Sequence, residues 1–250
     1  MLRLYTTLVI IKNVMPKNEY ILSVLRSDIQ AKSLLNHPFY KDLWNQGMLS
    51  RKALEDYTKQ YYRFVRYFPL FVTNVAINTP ADDPSRDLAI RNLNDELGRN
   101  AVPHDKLWEQ FASKGLGISR EQLLGSLQYS TTGQLIGKLD AITKYGTHAM
   151  GSGALLAYED QVSAVAESKD AGLREFYGVS DPEALEFFKV HAVVDKEHKK
   201  TWEEIIRNNV HTEVEGKRVR GALNDSLDAQ LKFLDGIMDA NDLWKLCAAK

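Results

Sequence analysis

The chain has 250 residues, 44% hydrophobic and 26% charged, with a formal net charge of −1. The charges are spread along its length, which argues against a nucleic-acid face and against an acidic tail. Cys247 is the single cysteine, so a disulfide within the chain is excluded; this fits a reducing, cytoplasmic setting.

The opening MLRLYTTLVIIKNVM pairs Arg3 with the apolar stretch 8–11, but Lys12 ends that stretch after four residues and no small-residue cleavage site follows. Residues 1–15 are therefore expected to be an extension, with Met15 as the initiator and a folded domain over 16–245. No later apolar run approaches the roughly 20 residues needed to span a bilayer, so no membrane is expected. The pattern predicts short helices over 28–35 and 39–46, the second stopped by Gly47. Ser50 is a natural N-cap for a long helix to residue 78, which Pro69 should kink without ending. Helices follow over 85–97 and 104–114, then over 120–128 after a Ser119 cap. Another starts at Thr131 or Thr132 and runs toward 145, and one covers 152–169. Asp181-Pro182 reads as an N-cap with proline at the first helical position, opening a helix to about residue 210, and the last spans 221–240. The only strand signal is the Val-Ile-Ile near the N-terminus. Seven or eight helices with short connections predict an all-α, single-domain bundle.

The chemistry concentrates in His191-Ala-Val-Val-Asp195-Lys-Glu-His198. At about 100° per residue these three side chains fall within an arc of about 60° on one helix face. Two imidazoles and a carboxylate on one face suit iron or manganese. Glu96 closes one helix and His104 opens the next, so the turn between them can bring both to one metal. Glu159 follows the small residues 151–154, on a face that is otherwise apolar; buried there, it needs a metal or another partner. The spacing alone leaves a plain alternative, in which Asp195 and His198 form a solvated pair worth under ~1 kcal/mol. His37, His148 and His211 have no comparable company and are read as non-ligands. Tyr40, Tyr57, Tyr61, Tyr62 and Tyr67 read as packing residues.

Six segments carry a resemblance: 37–47 (HPFYKDLWNQG), 56–62 with Phe68-Pro69, 92–96 (NLNDE), 103–111 (PHDKLWEQF), 157–161 (AYEDQ) and His191…Asp195…His198. In order and spacing, over about residues 30–240, the chain resembles the family of the Chlamydia protein associating with death domains. That family has the haem-oxygenase-like fold and is related to pyrroloquinoline-quinone synthase and the TenA thiaminases. The resemblance implies a di-metal, dioxygen-dependent oxidase that makes p-aminobenzoate for folate synthesis by consuming its own side chains. It implies Glu96, His104, Glu159, His191, Asp195 and His198 as ligands of two irons or an iron–manganese pair. It also implies Tyr40 as the consumed ring, Lys169 as the nitrogen donor, and Tyr158 as an auxiliary redox tyrosine. Dioxygen and an external reductant would then be the only partners, with no external organic substrate; a homodimer is an open expectation.

Two other readings stay open. One is a di-metal oxygenase acting on an external small substrate. The other is a metal-free oxidase of the pyrroloquinoline-quinone synthase type, which the three carboxylates disfavour. On an unbroken helix Lys169 lies about 15 Å and 80° from Glu159, so by geometry alone it is expected at the surface, reaching the ligands only if the helix bends or ends.

Overall fold

The computed structural model describes residues 17–99 and 101–248, and of residues 17 and 194–196 the backbone alone. The expected 1–15 extension and its strand candidate lie outside the described residues.

Leu22, Leu25 and Ile29 recur at helical spacing and are at most 3% exposed; they make α1 (Lys17–Ala31) start earlier than expected. A short 3₁₀ turn (Leu34–Asn36), a π-helical turn (Phe39–Leu43) and a second 3₁₀ turn (Trp44–Gln46) follow. Gly47 ends them in the left-handed region at φ 65°, which glycine adopts without a Cβ penalty. The Ser50 side chain accepts from the Ala53 amide and starts α2 (Arg51–Asn78), which runs through Pro69. Next come α3 (Ser85–Glu96), α4 (His104–Gln110) with a π turn (Phe111–Gly115), α5 (Arg120–Gly125) and α6 (Ser130–Tyr145). The chain closes with α7 (His148–Glu175), α8 (Glu186–Asn209), α9 (Glu213–Ala240) and α10 (Trp244–Ala248). Among the described residues there are ten α-helices and no strand, more than the expected seven or eight.

Two boundaries differ from expectation for local reasons. Asp181 does cap, accepting from the Glu183 and Ala184 amides, but it caps a turn, and α8 begins only at Glu186. The last long helix starts eight residues early because Thr212 and Glu215 form a reciprocal capping box.

Helix α7 is the centre of the bundle and packs chiefly against α8 and α9, while α2 packs on α6 and α3. Its small residues permit the close approach. A Cβ on Gly151 would stand 2.6 Å from Val75 Cγ2, and one on Gly153 would stand 2.8 Å from Val219 Cγ1. With that proximity, Leu155, Leu156 and Ala157 are fully buried, and every residue of α7 from Gly151 to Glu159 lies in the interior.

Candidate metal centre and tyrosine pocket

The connection from α3 to α4 determines the first pair of candidate ligands. Gly98 takes φ 65°, where a Cβ would collide with the Pro103 backbone. This tight reversal sets Glu96 Oε2 2.9 Å from His104 Nδ1. From α7, Glu159 enters beside them, and from α8 come His191 and His198. The ligating atoms of Glu96, Glu159 and His198 all lie within 4.8 Å of one another. His198 Nδ1 is 3.3 Å from Glu159 Oε2 and 3.8 Å from Glu96 Oε1. Its other nitrogen, Nε2, is 3.3 Å from Asp95 Oδ2, the arrangement that turns a liganding imidazole's second nitrogen to a carboxylate. His191 Nδ1 donates to the Phe187 carbonyl at 2.7 Å, leaving Nε2 to ligate. Its ring stacks on Phe187 and lies 4.4 Å from that of His104, centroid to centroid. All five side chains are buried. The Asp195 side chain lies outside the described residues; its backbone places it on α8 between the two histidines. His37, His148 and His211 lie apart: His37 faces Asp235, His148 faces Asp83, and His211 is exposed.

Charge in this cluster is unevenly held. Burial works to raise the Glu96 carboxyl, but the imidazoles, His104 foremost, outweigh it and hold it down to about 2. Burial dominates at Glu159 and raises it despite His198. Burial, with His104 as a second cause, lowers His191 to about 3. Neither Glu159 oxygen accepts a well-formed hydrogen bond, an expensive state for a buried carboxylate. A cation relieves it. Carboxylate oxygen and imidazole nitrogen converging from four helices are a donor set for iron or manganese.

Beyond Phe187 the interior opens into a second space, bordered by Tyr40, Tyr57, Tyr61, Tyr158, Lys169 and Gln230. Tyr40 stands on the π-helical turn and is 2% exposed. Its hydroxyl is 3.0 Å from that of Tyr57. The rings of Tyr57 and Tyr61 stack at 5.6 Å, and the Tyr61 hydroxyl is hydrogen-bonded to that of Tyr158, the neighbour of Glu159. A tyrosine series thus connects Tyr40 to the carboxylate cluster. Tyr57 and Tyr61, four residues apart on one face of α2, are packing residues as expected, yet they also line this space. Tyr62 instead bonds Glu109, and Tyr67 is half-exposed.

Lys169 departs from its expected surface position: it is 2% exposed. The helix neither bends nor ends at this point, for α7 continues to Glu175. Lys169 belongs to the Tyr158 stripe rather than the Glu159 stripe, since eleven residues return a helix to within about 20° of its starting direction. Its ammonium lies 4.2 Å from the Tyr61 ring centre, 5.1 Å from that of Tyr57 and 6.0 Å from that of Tyr40. Among the described residues it has no ion pair and no hydrogen bond, and burial lowers its pKa to about 7. Gln230, on α9, was not singled out in the sequence; an isolated glutamine on a helix gives no signal there.

Buried carboxylates and imidazoles inside an all-helical bundle define a metal-dependent redox protein. The chain belongs to the iron-containing redox enzyme family, whose model matches residues 55–230, and it has the haem-oxygenase-like fold. It is 35% identical over 219 residues to a Nitrosomonas europaea protein named 4-aminobenzoate synthase, covering 84% of this chain and 88% of that one. A Chlamydia muridarum protein of the same name is 31% identical, covering 87% and 90%. In fold it is similar to a CADD-like protein of Nostoc punctiforme, with a TM-score of 0.75 at 14% identity, covering 90% of this chain and 98% of that one.

Proposed function

We propose that the protein is a 4-aminobenzoate synthase that takes the ring from its own Tyr40 and the nitrogen from its own Lys169. Glu96, His104, Glu159, His191, Asp195 and His198 would hold two irons or an iron–manganese pair. When bound, these metals supply the activation of dioxygen, with electrons from an external reductant. The single observation that carries the reading is the Lys169 amine, buried without a counter-ion 6.0 Å from the Tyr40 ring.

The residues divide the work by position. The Tyr57 hydroxyl holds that of Tyr40 and fixes the ring. Lys169, with a pKa near 7, carries a large neutral fraction at neutral pH, so its lone pair is available to a ring carbon. Tyr158 and Tyr61 share a hydrogen-bonded proton between the carboxylate cluster and Tyr57, which suits Tyr158 to the auxiliary role. In the overall change the Tyr40 Cα–Cβ bond breaks, Cβ becomes the carboxylate carbon, and the phenolic oxygen gives way to the lysine nitrogen. Each chain reacts once. The space among these residues is about 30 Å³, far below the ~150 Å³ that accommodates a benzene ring. This favours an internal ring over an external substrate. No described helix is long and apolar enough to cross a membrane; the reducing, cytoplasmic setting belongs to the proposal, and the single cysteine fits it.

The test is mass-spectrometric detection of 4-aminobenzoate from protein loaded anaerobically with Fe(II), with and without Mn(II), then given reductant and oxygen. Protein carrying ring-labelled tyrosine and ¹⁵N-lysine should pass both labels to the product, at no more than one product per chain. Unlabelled product, or none from protein holding two metals, would overturn the reading.

A further inference from the structure

Two buried polar groups border the tyrosine space without partners among the described residues, and the reaction above uses only one. Lys169 is the first. The second is Gln230 Oε1, on a side chain 4% exposed, which accepts no hydrogen bond. The orientation of this amide follows from its neighbours. Ser226 Oγ donates to the Ala154 carbonyl at 2.8 Å, which uses its only hydrogen. It can therefore only accept from Gln230, whose Nε2 lies 3.2 Å away. Nε2 is assigned by that bond, and Oε1 is left on the other side of the amide. Gln230 and Lys169 both line the space of about 30 Å³. That is room for one water, which requires two to four polar partners; among the residues that border the space, Lys169, Gln230, Tyr40 and Tyr57 carry the polar groups available to it.

We propose that this space is a water site between Lys169 Nζ and Gln230 Oε1, and that its water frees the ring nitrogen from Lys169, leaving Lys169 as an aldehyde. The proposal rests on Tyr40 and Lys169 being the ring and nitrogen sources. Oxidation by dioxygen removes the phenolic and one Cβ hydrogen of Tyr40, two electrons in all, giving a quinone methide. The Lys169 amine adds to its carbonyl carbon and a water leaves as the C=N bond forms. A proton then moves from Lys169 Cε to the Tyr40 Cβ. The ring regains aromaticity and is reduced by two electrons; Cε is oxidised by two and now carries the double bond to nitrogen. Water oriented by Gln230 adds to Cε and the Cε–N bond breaks. The ring keeps an NH₂ group, and Cε becomes the aldehyde carbon. One water is released and one consumed, so no further oxidant is needed for the nitrogen transfer. Gln230 touches the attacking water, and its fixed amide sets the direction of attack.

Turnover followed by sodium borodeuteride and peptide mass spectrometry tests this. In the native protein, position 169 should appear as a singly deuterated alcohol, in an amount matching the free 4-aminobenzoate. Gln230→Met keeps the shape and removes the acceptor. Release should fall about a hundredfold or more, the size of a lost general acid–base contact, with the missing ring recovered after reduction as an aryl link between residues 169 and 40, or as an aryl adduct on 169 where the Cα–Cβ bond has broken. An intact lysine at 169 alongside labelled ring product would overturn the nitrogen-donor reading itself. A consumed lysine with neither alcohol nor aryl adduct would overturn hydrolysis. Native release by Gln230→Met would overturn the role of Gln230. If that variant does not fold, Ser226→Ala, which releases the amide orientation, replaces it: slower release with the same adduct is expected, and native release counts against the proposal.

Discussion

His37 Nε2 lies 3.0 Å from Asp235 Oδ1, which leaves Nδ1 to accept the Phe39 amide at 3.1 Å. The same residue's carbonyl accepts from the Tyr40 and Lys41 amides. One side chain thus caps the turn that carries Tyr40 and ties it to α9. His37→Ala should cost about 1 kcal/mol, as loss of a helix-capping acceptor does, and slow product formation. His37→Asn, which retains an acceptor, should recover much of both. Burial holds the His37 pKa below 6.5, with Asp235 opposing. A depressed pKa means that this contribution is complete above about pH 6.5 and is lost as pH falls through the folded value, because a proton on Nδ1 breaks the cap. Melting temperatures should therefore fall more steeply on acidification in the native protein than in His37→Asn.

Replacing Lys169 by methionine should stabilise the protein while abolishing product. The lysine's folded pKa, about 7, lies below its ordinary 10.5. The unfolded chain thus holds the extra proton between these values, and native stability rises with pH across that window. At neutral pH the buried amine costs roughly 3–5 kcal/mol. Urea denaturation at several pH values should show a gain of this order in Lys169→Met, and a loss of the pH dependence between about 7 and 10.5.

Tyr40→Phe should bind metal as the native protein does and yield no 4-aminobenzoate. Its stability should fall by about 1 kcal/mol, the net worth of the lost hydrogen bond to Tyr57. Metal titration beside product analysis checks both halves; product from this variant would remove Tyr40 from its role.

Metal should stabilise the fold. Two divalent ions replace carboxylate–imidazole contacts that leave Glu159 poorly satisfied. Manganese at a hundredfold excess over its dissociation constant should add about 2.7 kcal/mol per site. This shift in melting temperature should be reversed by chelator and much reduced in Glu159→Gln.

Gly172 is the slot into which Trp44 packs: a Cβ there would stand 2.6 Å from the indole Nε1. The Trp44 ring lies 6.1 Å from that of Tyr40. Gly172→Ala should therefore cost about 1–3 kcal/mol through overpacking and also lower product yield, because the indole must shift against the Tyr40 turn.

The legibility of the site varied with the range of the interaction that forms it. His191 and His198 share a helix face through periodicity, and Glu96 and His104 meet across a short turn, so local spacing suffices for both pairs. Lys169 could not be located in this way. Its burial depends on which of two adjacent stripes of α7 faces α2, and that is decided by Gly151, Gly153 and Gly172 meeting side chains from distant elements. The π-helical turn at Tyr40 was also invisible, since its register is held by a histidine reaching across to α9. Spacing does not distinguish Gln230 from a surface glutamine, because its amide is oriented through Ser226 by the Ala154 carbonyl of another helix.

Tyr40 is buried to 2% exposure in a close-packed interior, and that has a consequence for the life of the molecule. On the proposed reaction, a chain that had surrendered this ring would be a cavity mutant of itself, lighter by a large aromatic side chain that its neighbours were packed against. Removing such a ring from a core costs about 3–5 kcal/mol, a large share of the stability of an ordinary domain. The spent chain would open more often, and proteases that act on opened chains would clear it in preference to the unreacted form. Synthesis of the small molecule would then be coupled, chain for chain, to turnover of the protein.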